Sequence, residues 1–428
     1  MGGNNYNNLY MRKVLISFLG TGPKDRNYKT ANYRFSSGNQ YETHFVAAAI
    51  RQEYKIDKMI MIGTMHSMWE CVYDHYAKQN NQFDENICYE IYEQVGDKAN
   101  HQTEIGEVKH QTEIERQMGG GSKIVTIHYG LNDEEIAKNS ETILGLEQYL
   151  EQNDELIIDI THGFRSLPLY IMNLIIYLQN VSEKRLKIKH ICYGMLDVSQ
   201  EMGYTPIVEM TDVLTVNKWI AGAYSFKRFG NADQIAELVK ELDKGLSKKL
   251  DQFSDVKNLN HLAALEQQSK QLRELIRQGN MPQMAKMIIT PVVKDFCKQL
   301  NVLVDSITPH SDFQYKLACW QYSKDNYLAA YTSLFEAIVT RFCEEEHISY
   351  EHCDYEMRQK IQNKYFYTKD EKIKSQVRTW STLFHKVREV RNALAHNADT
   401  ELTPAIMIQK LGSFLDRYGE LSGLKKKK

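Results

Sequence analysis

Near the C-terminal end, Arg391-Asn392-Ala393-Leu394-Ala395-His396 sets a permanent cation and a group that titrates near neutrality on one short segment. That pair suits the cutting of RNA without a metal. In such a reaction the 2′-hydroxyl attacks the adjacent phosphorus, and a base takes its proton. An acid serves the leaving oxygen, and a cation steadies the phosphorane. Histidine does proton work near neutral pH. Arginine stays charged and forks onto phosphate oxygens. One histidine per chain supplies one proton-transfer group, so two chains about a two-fold axis are the natural way to complete the site. In a helix Asn392 and His396 share a face. Arg391 is rotated further round but long enough to reach over, and Ala393 and Ala395 leave room for a substrate. The bland alternative for His396 is a histidine at a helix end, beside the C-terminal dipole. Arg185 and His190 repeat the Arg-x4-His spacing. That second pair runs from a helix end into a strand and has no catalytic frame.

A second set of residues suits an anion. Gly20-Thr21-Gly22 follows an apolar run, and Thr161-His162-Gly163-Phe164-Arg165-Ser166 follows another, with Leu167-Pro168 opening the next helical stretch. Glycines let a backbone approach a ligand closely, and free N–H groups at a helix start attract anions. Thr161 and Ser166 add hydroxyls, and Arg165 can fork onto a phosphate. The set fits phosphate or nucleotide recognition, although a glycine-bearing βα turn is common in any such fold. There is no GxGxxG and no GKS or GKT, so ordinary dinucleotide and P-loop sites have little support.

These residues need elements to hold them. Lys13 to Gly20, Met59 to Gly63, Lys123 to Tyr129, Glu155 to Thr161 and Lys187 to Met195 read as strands rich in Ile and Val that do not alternate with polar residues. Strands of that kind are buried on both faces, which points to a parallel sheet with helices on each side. Helical patterns lie between them, at Glu42 to Tyr54, Ser67 to Lys78, Asp133 to Gln152 and Leu167 to Arg185. The expectation is a Rossmann-like α/β domain over residues 11–212, with both glycine-bearing turns at the C-terminal ends of strands, where open parallel sheets bind ligands. Gly96 to Gly121 breaks the rhythm: it is polar, contains HQTEI twice, at His101 and His110, and reads as a surface insertion. After Asp212 the strands stop. Residues 213–300 read as a helical connector, with Asp233 to Phe253 and Leu259 to Gln278 as helices, and residues 301–428 as an all-α domain. Its helices fall at Tyr327 to Glu346, Glu356 to Lys364, Gln376 to Asn397 and Pro404 to Tyr418.

Composition narrows the classes. The formal charge of −2 gives no global basic excess, so any RNA contact has to be local. Seven cysteines without a CxxC pair suggest reduced thiols and a cytoplasmic protein. MGGNNYNNLY has no apolar stretch of the secretory kind, Tyr6 fails the myristoylation pattern, and no apolar run is long enough to span a membrane. Cys343, His347, His352 and Cys353 crowd together, but their spacing fits no familiar zinc site. Trp320, Tyr322, Tyr327 and Tyr331 suit base stacking in principle and a packed core more often.

Three segments of the first domain carry a resemblance. LISFLGTG at the first strand, GTMHSMWE from Gly63 to Glu70, and ITHGFRSLP are similar to the CRISPR-associated Rossmann fold (CARF) domains of type III CRISPR ancillary proteins. TPIVEMTD, from Thr205 to Asp212, resembles how those domains close. The resemblance covers roughly Arg12 to Asp212. It implies binding of a cyclic oligoadenylate messenger across a dimer. The matching ligand positions are Gly20, Thr21, Gly22, Thr161, His162, Gly163, Phe164, Arg165 and Ser166. Arg391 to His396, with an earlier helix bearing Glu336, resembles the HEPN ribonuclease motif, which implies Arg391, Asn392 and His396 as catalytic residues. The two together imply an endoribonuclease that cuts single-stranded RNA when the messenger binds. A symmetric dimer favours a messenger with an even number of adenylates, four rather than six. A homodimer is expected, with higher oligomers left open, and no cofactor, metal or membrane partner is expected. Two other readings stand beside this one. One is a non-enzymatic regulator whose helical half binds a partner. The other is a ring nuclease that degrades the messenger in the first domain.

Overall fold

The computed structural model describes residues 11–22, 28–96, 106–302, 309–350, 354–396 and 402–425. The chain divides into two units, Met1–Val213 and Leu214–Lys428.

The first unit is built around eight strands: β1 (Lys13–Phe18), β2 (Ala31–Arg34), β3 (Gln40–Thr43), β4 (Lys58–Gly63), β5 (Lys123–Thr126), β6 (Glu155–Asp159), β7 (Lys187–Gly194) and β8 (Thr205–Glu209). Its helices are α1 (Val46–Tyr54), α2 (Trp69–Gln79), α3 (Glu85–Gly96), α4 (Gln111–Met118), α5 (Asp133–Leu144), α6 (Leu167–Asn180) and α7 (Ser199–Met202). The sheet order is β3-β2-β8-β7-β6-β1-β4-β5. The five strands read from the sequence form the parallel block β7-β6-β1-β4-β5. Leu15, Met59, Met61 and Ile157 pack with Val46, Trp69, Ile91 and Met118 of four helices. Val14, Ile16, Ile60, Ile62, Leu156 and Ile158 alternate with them, point the other way and are equally buried. Both faces are therefore covered, as the unbroken apolar runs require.

Several expectations need correction. The sheet is mixed: β7 pairs antiparallel with β8, and β2 with β3. Glu42 and Thr43, where helix was expected to begin, close the strand Gln40–Thr43, and α1 begins only at Val46. The helix expected to reach Gln152 ends at Leu144 and passes into a 3-10 turn, Gly145–Tyr149, and α6 stops at Asn180. The segment read as a surface insertion is partly core. Its second HQTEI copy runs into α4, and Val108, Ile114 and Met118 are buried in the same cluster as the sheet. The first copy lies outside the described residues.

The second unit is helical: α8 (Asp212–Phe229), α9 (Asp233–Val239), α10 (Lys244–Asn258), α11 (Leu262–Gln278), α12 (Gln283–Gln299), α13 (His310–Ser323), α14 (Tyr327–Glu345), α15 (Tyr355–Tyr365), α16 (Glu371–Ala395) and α17 (Pro404–Leu421). The expected helix over Asp233 to Phe253 is two, because Asp243 caps a new start by accepting from the Leu246 N–H. One apolar cluster gathers side chains from α8 to α12, and a second those from α13 to α17. α13 serves both, giving Phe313, Leu317 and Trp320 to the first and Tyr315 and Ala318 to the second. A polar clamp ties α11 to α13. Buried Glu266 accepts from Lys270 Nζ at 2.7 Å and meets His310 Nδ1 at 2.6 Å. Burial alone would raise the Glu266 carboxyl, but the bonds from His310 and Lys270 hold it below the usual carboxylate range. No helix among the described residues is long and apolar enough to cross a membrane.

Candidate functional sites

α16 delivers the Arg391–His396 segment. Asp370 caps its start, accepting from the N–H groups of Lys372 and Ile373. Val377, Leu383, Phe384, Val387 and Val390 recur at helical spacing and are buried, which fixes the rotation of the helix on α14. Arg391 is thereby laid against α14. Its guanidinium carbon sits 4.4 Å from the centre of the Phe335 ring, and its Nε is buried without a hydrogen-bond partner among the described residues. A cation laid on an aromatic face is held in one direction by the ring quadrupole. A guanidinium N–H left open in this way can donate to a phosphate oxygen. His396 ends the helix. Its backbone N–H donates to the Asn392 carbonyl at 3.0 Å, which stacks the two residues one turn apart, and its side chain is exposed. A half-buried cation, an amide and an exposed imidazole thus share one helix end. Glu336, the neighbour of Phe335, pairs with Arg358, and Arg358 also donates to Thr340 Oγ1 at 3.1 Å.

The other chemical candidates resolve into structure. Trp320 and Tyr331 are buried, and the Tyr331 hydroxyl donates to the Met407 carbonyl at 2.7 Å. Tyr322 and Tyr327 meet edge to face at 5.8 Å. Cys343 is buried, while His352 and Cys353 lie outside the described residues. Among the described residues no three His, Cys, Asp or Glu side chains are grouped as a metal site. His190 pairs with Glu209 at 2.7 Å on the sheet of the first unit.

In the first unit, the C-terminal ends of β1, β4 and β6 surround a cavity of about 260 Å³ lined by Gly20, Thr21, Gly163 and Phe164. Gly63, Thr64 and Ser67 line it too. Their signal in the sequence was the GTMHSMWE segment, which had no site residue assigned. Ser67 Oγ donates to the Leu19 carbonyl at 2.8 Å and accepts from the Thr64 N–H at 3.0 Å. That latches the turn after β4 onto the end of β1. Gly63 has no alternative here, because a Cβ would stand 2.6 Å from Ser67 Oγ and 2.8 Å from the Trp69 ring. Gly163 adopts φ +100°, which favours glycine.

The remaining residues of the 161–166 turn divide by task. Thr161 is spent within the fold: its hydroxyl donates to Asp159 at 2.6 Å and accepts from the Gly194 N–H at 2.7 Å. Ser17 Oγ donates to the other oxygen of Asp159 at 2.5 Å. Asp159 is fully buried, and burial pushes its carboxyl up against the pull of His162 and these donors. Burial lowers His162, which favours its neutral form, and its Nε2 is buried without a partner. Phe164 meets Tyr129 at 5.3 Å, forming an aromatic wall. Arg165 and Ser166 are exposed at the start of α6, and Arg165 has no hydrogen-bond or ion-pair partner among the described residues. Gly22 lies beside Tyr28, whose ring a Cβ would strike at 2.3 Å. The geometry offers a pocket at strand ends, one free guanidinium and an aromatic wall, which together suit a nucleotide.

Comparison with known proteins adds to this. Residues 14–197 match the family described as "CRISPR system endoribonuclease Csx1, CARF domain". Residues 215–306 match "CRISPR-associated protein MJ1674, second domain". The CRISPR-associated protein MJ1674 of Methanocaldococcus jannaschii is 33% identical over 353 residues, covering 78% of this chain. The chain spans about half of that relative's length, 54%. Among solved structures, Enterococcus italicus Csm6 bound to cyclic hexa-2'-fluoro-hexa-dAMP aligns with 95% of this chain and 92% of its own. It is 13% identical with a TM-score of 0.36, which is too low to argue from.

Proposed function

The chain belongs to the CRISPR-associated CARF proteins, and from that premise we propose that it is an endoribonuclease switched on by a cyclic oligoadenylate. The observation that carries the proposal is the pairing in one chain of a CARF unit with an Arg391–His396 helix end whose guanidinium has a buried, unpartnered N–H. The messenger, cyclic tetra-adenylate ahead of cyclic hexa-adenylate, sits at the strand-end cavity with its phosphates toward Arg165. Two chains pair about a two-fold axis, and the helical region that follows the CARF unit carries the change to the nuclease site. There Arg391 holds the scissile phosphate and steadies the phosphorane. His396 of one chain takes the 2′-hydroxyl proton, and His396 of the other serves the leaving 5′-oxygen. The products are a 2′,3′-cyclic phosphate and a 5′-hydroxyl.

The deciding experiment is cleavage of a single-stranded RNA with no messenger, with cyclic tetra-adenylate and with cyclic hexa-adenylate. Wild-type protein should cut only when a messenger is present. His396→Ala should lose about 10²- to 10⁴-fold in rate while keeping messenger binding, and Arg185→Ala should cut normally. A His396→Ala protein that cuts at the wild-type rate removes the Arg391–His396 assignment, and a wild-type protein that cuts no RNA with either messenger leaves the non-enzymatic regulator in its place.

A further inference from the structure

Tyr367 follows the end of α15 and leaves a large aromatic ring 43% exposed. The ring is not loose. It stands edge-on to Phe384 at 5.9 Å and 82°, and to His385 at 5.3 Å and 74°. Phe384 is fully buried and stacks on Phe366 at 4.1 Å. His385 Nε2 donates to the Phe366 carbonyl at 3.0 Å, which fixes the imidazole as a side wall. The Arg388 guanidinium lies over the Tyr367 ring at 5.7 Å, and Arg388 has no ion-pair partner among the described residues. A buried platform therefore holds an aromatic face and an unneutralised cation out toward solvent.

Position gives this cluster its meaning. His385, Arg388, Asn392 and His396 follow one another at helical spacing along α16, so they share a face with the catalytic end. At the rise of an α-helix, Arg388 lies about 12 Å from His396 along the axis. That is within a few nucleotides of extended RNA.

We propose that Tyr367 and Arg388 form an accessory subsite for single-stranded RNA. An unpaired base stacks on the ring, and the guanidinium takes the phosphate beside it. Stacking on aromatic and guanidinium planes is how unpaired bases are held without reading their sequence. The subsite sets the strand in register, so that the scissile phosphate arrives at Arg391 with the strand already immobilised. The inference rests on the ribonuclease reading and names where its substrate is gripped.

The test uses the full chain with its messenger and two substrates, a dinucleotide and a twelve-nucleotide RNA. Tyr367→Ala should raise KM on the long RNA by about five- to a hundred-fold relative to KM on the dinucleotide. Tyr367→Trp should restore the wild-type ratio, and Arg388→Gln should shift it the same way as Tyr367→Ala. In a series of long RNAs with one abasic nucleotide, wild type should show a KM penalty at one position, and Tyr367→Ala should not. Equal KM changes on both substrates would mark Tyr367 as structural and overturn the proposal, as would no change on either. If wild type leaves RNA intact, the ribonuclease reading falls separately. The platform is then judged by anisotropy of a labelled single strand, and equal binding by wild type and Tyr367→Ala overturns it.

Discussion

Phe335→Leu tests whether Arg391, the proposed catalytic arginine, is aimed by the ring beneath it. Arg391 sits 4.4 Å from the centre of that ring, half-buried, with an Nε that has no hydrogen-bond partner among the described residues. A partly desolvated cation–π contact contributes about 1–2 kcal/mol. If that energy selects the reactive rotamer, losing it should lower kcat about 5- to 30-fold. Leucine keeps the site apolar, so the charge is neither removed nor newly buried. The substitution also costs the contact of Phe335 with Phe384 at 5.3 Å, and about 1–3 kcal/mol of stability with it. Activity therefore has to be measured where denaturant titration shows the variant folded. The assay is the initial rate of RNA cleavage at saturating messenger, with messenger affinity measured beside it. The expected result is lower kcat, unchanged messenger affinity, and no further loss when Phe335→Leu is added to Arg391→Ala. Full additivity of the two substitutions would refute the reasoning, because the ring would then act on something other than Arg391.

Four more predictions concern the sites described above. Arg165→Ala should raise the messenger concentration needed for half-activation by about 10- to 150-fold, the worth of one charge-assisted bond; an unchanged activation curve would move the ligand elsewhere. Thr161→Ala should instead lower stability by about 1–3 kcal/mol in denaturant titration, because its hydroxyl joins Asp159 to Gly194. Cleavage should survive excess EDTA and fail on an RNA with a 2′-deoxy sugar at the cut position; rescue by magnesium after EDTA would rule the mechanism out. Glu266 lies below its usual range in the fold, so it adds stability that is full above its unfolded value of about 4.5 and is lost as pH falls through the folded one. Thermal melts across that window should show a shallower acid loss for Glu266→Gln than for wild type, and parallel curves would refute the clamp.

The sequence announced some of this and hid the rest, for identifiable reasons. The strands β1, β4, β5, β6 and β7 were legible because both their faces are buried and their apolar runs are unbroken. β2 and β3, ANYR and QYET, are short and largely polar, and β8 carries Pro206, which weakens any strand pattern. Gly20, Thr21, Gly163 and Phe164 were findable from the rule that ligands sit at the ends of parallel strands. Ser67 was not, because its part is to latch two backbone segments, a task with no compositional signature. Tyr367, in the bend after α15, and Arg388, on α16, meet through the packing around Phe366 and Phe384, which no local pattern encodes. The break between α9 and α10 was missed although Asp243 and Gly245 marked it, because the apolar period continues across it.

α13 has a consequence for how the second half of the chain comes apart. It lends Phe313, Leu317 and Trp320 to one apolar cluster and Tyr315 and Ala318 to the other. The stretch matching the MJ1674 second domain ends at residue 306, before any of those side chains. Cut out at that boundary, the stretch would expose the surface that Trp320 covers. Neither cluster can shed α13 without opening the other, so its amides should exchange with deuterium only when the whole unit unfolds, later than those of α9 or α15. A helix placed in that way works as a shared wall, and strain arriving on one side of it is felt on the other.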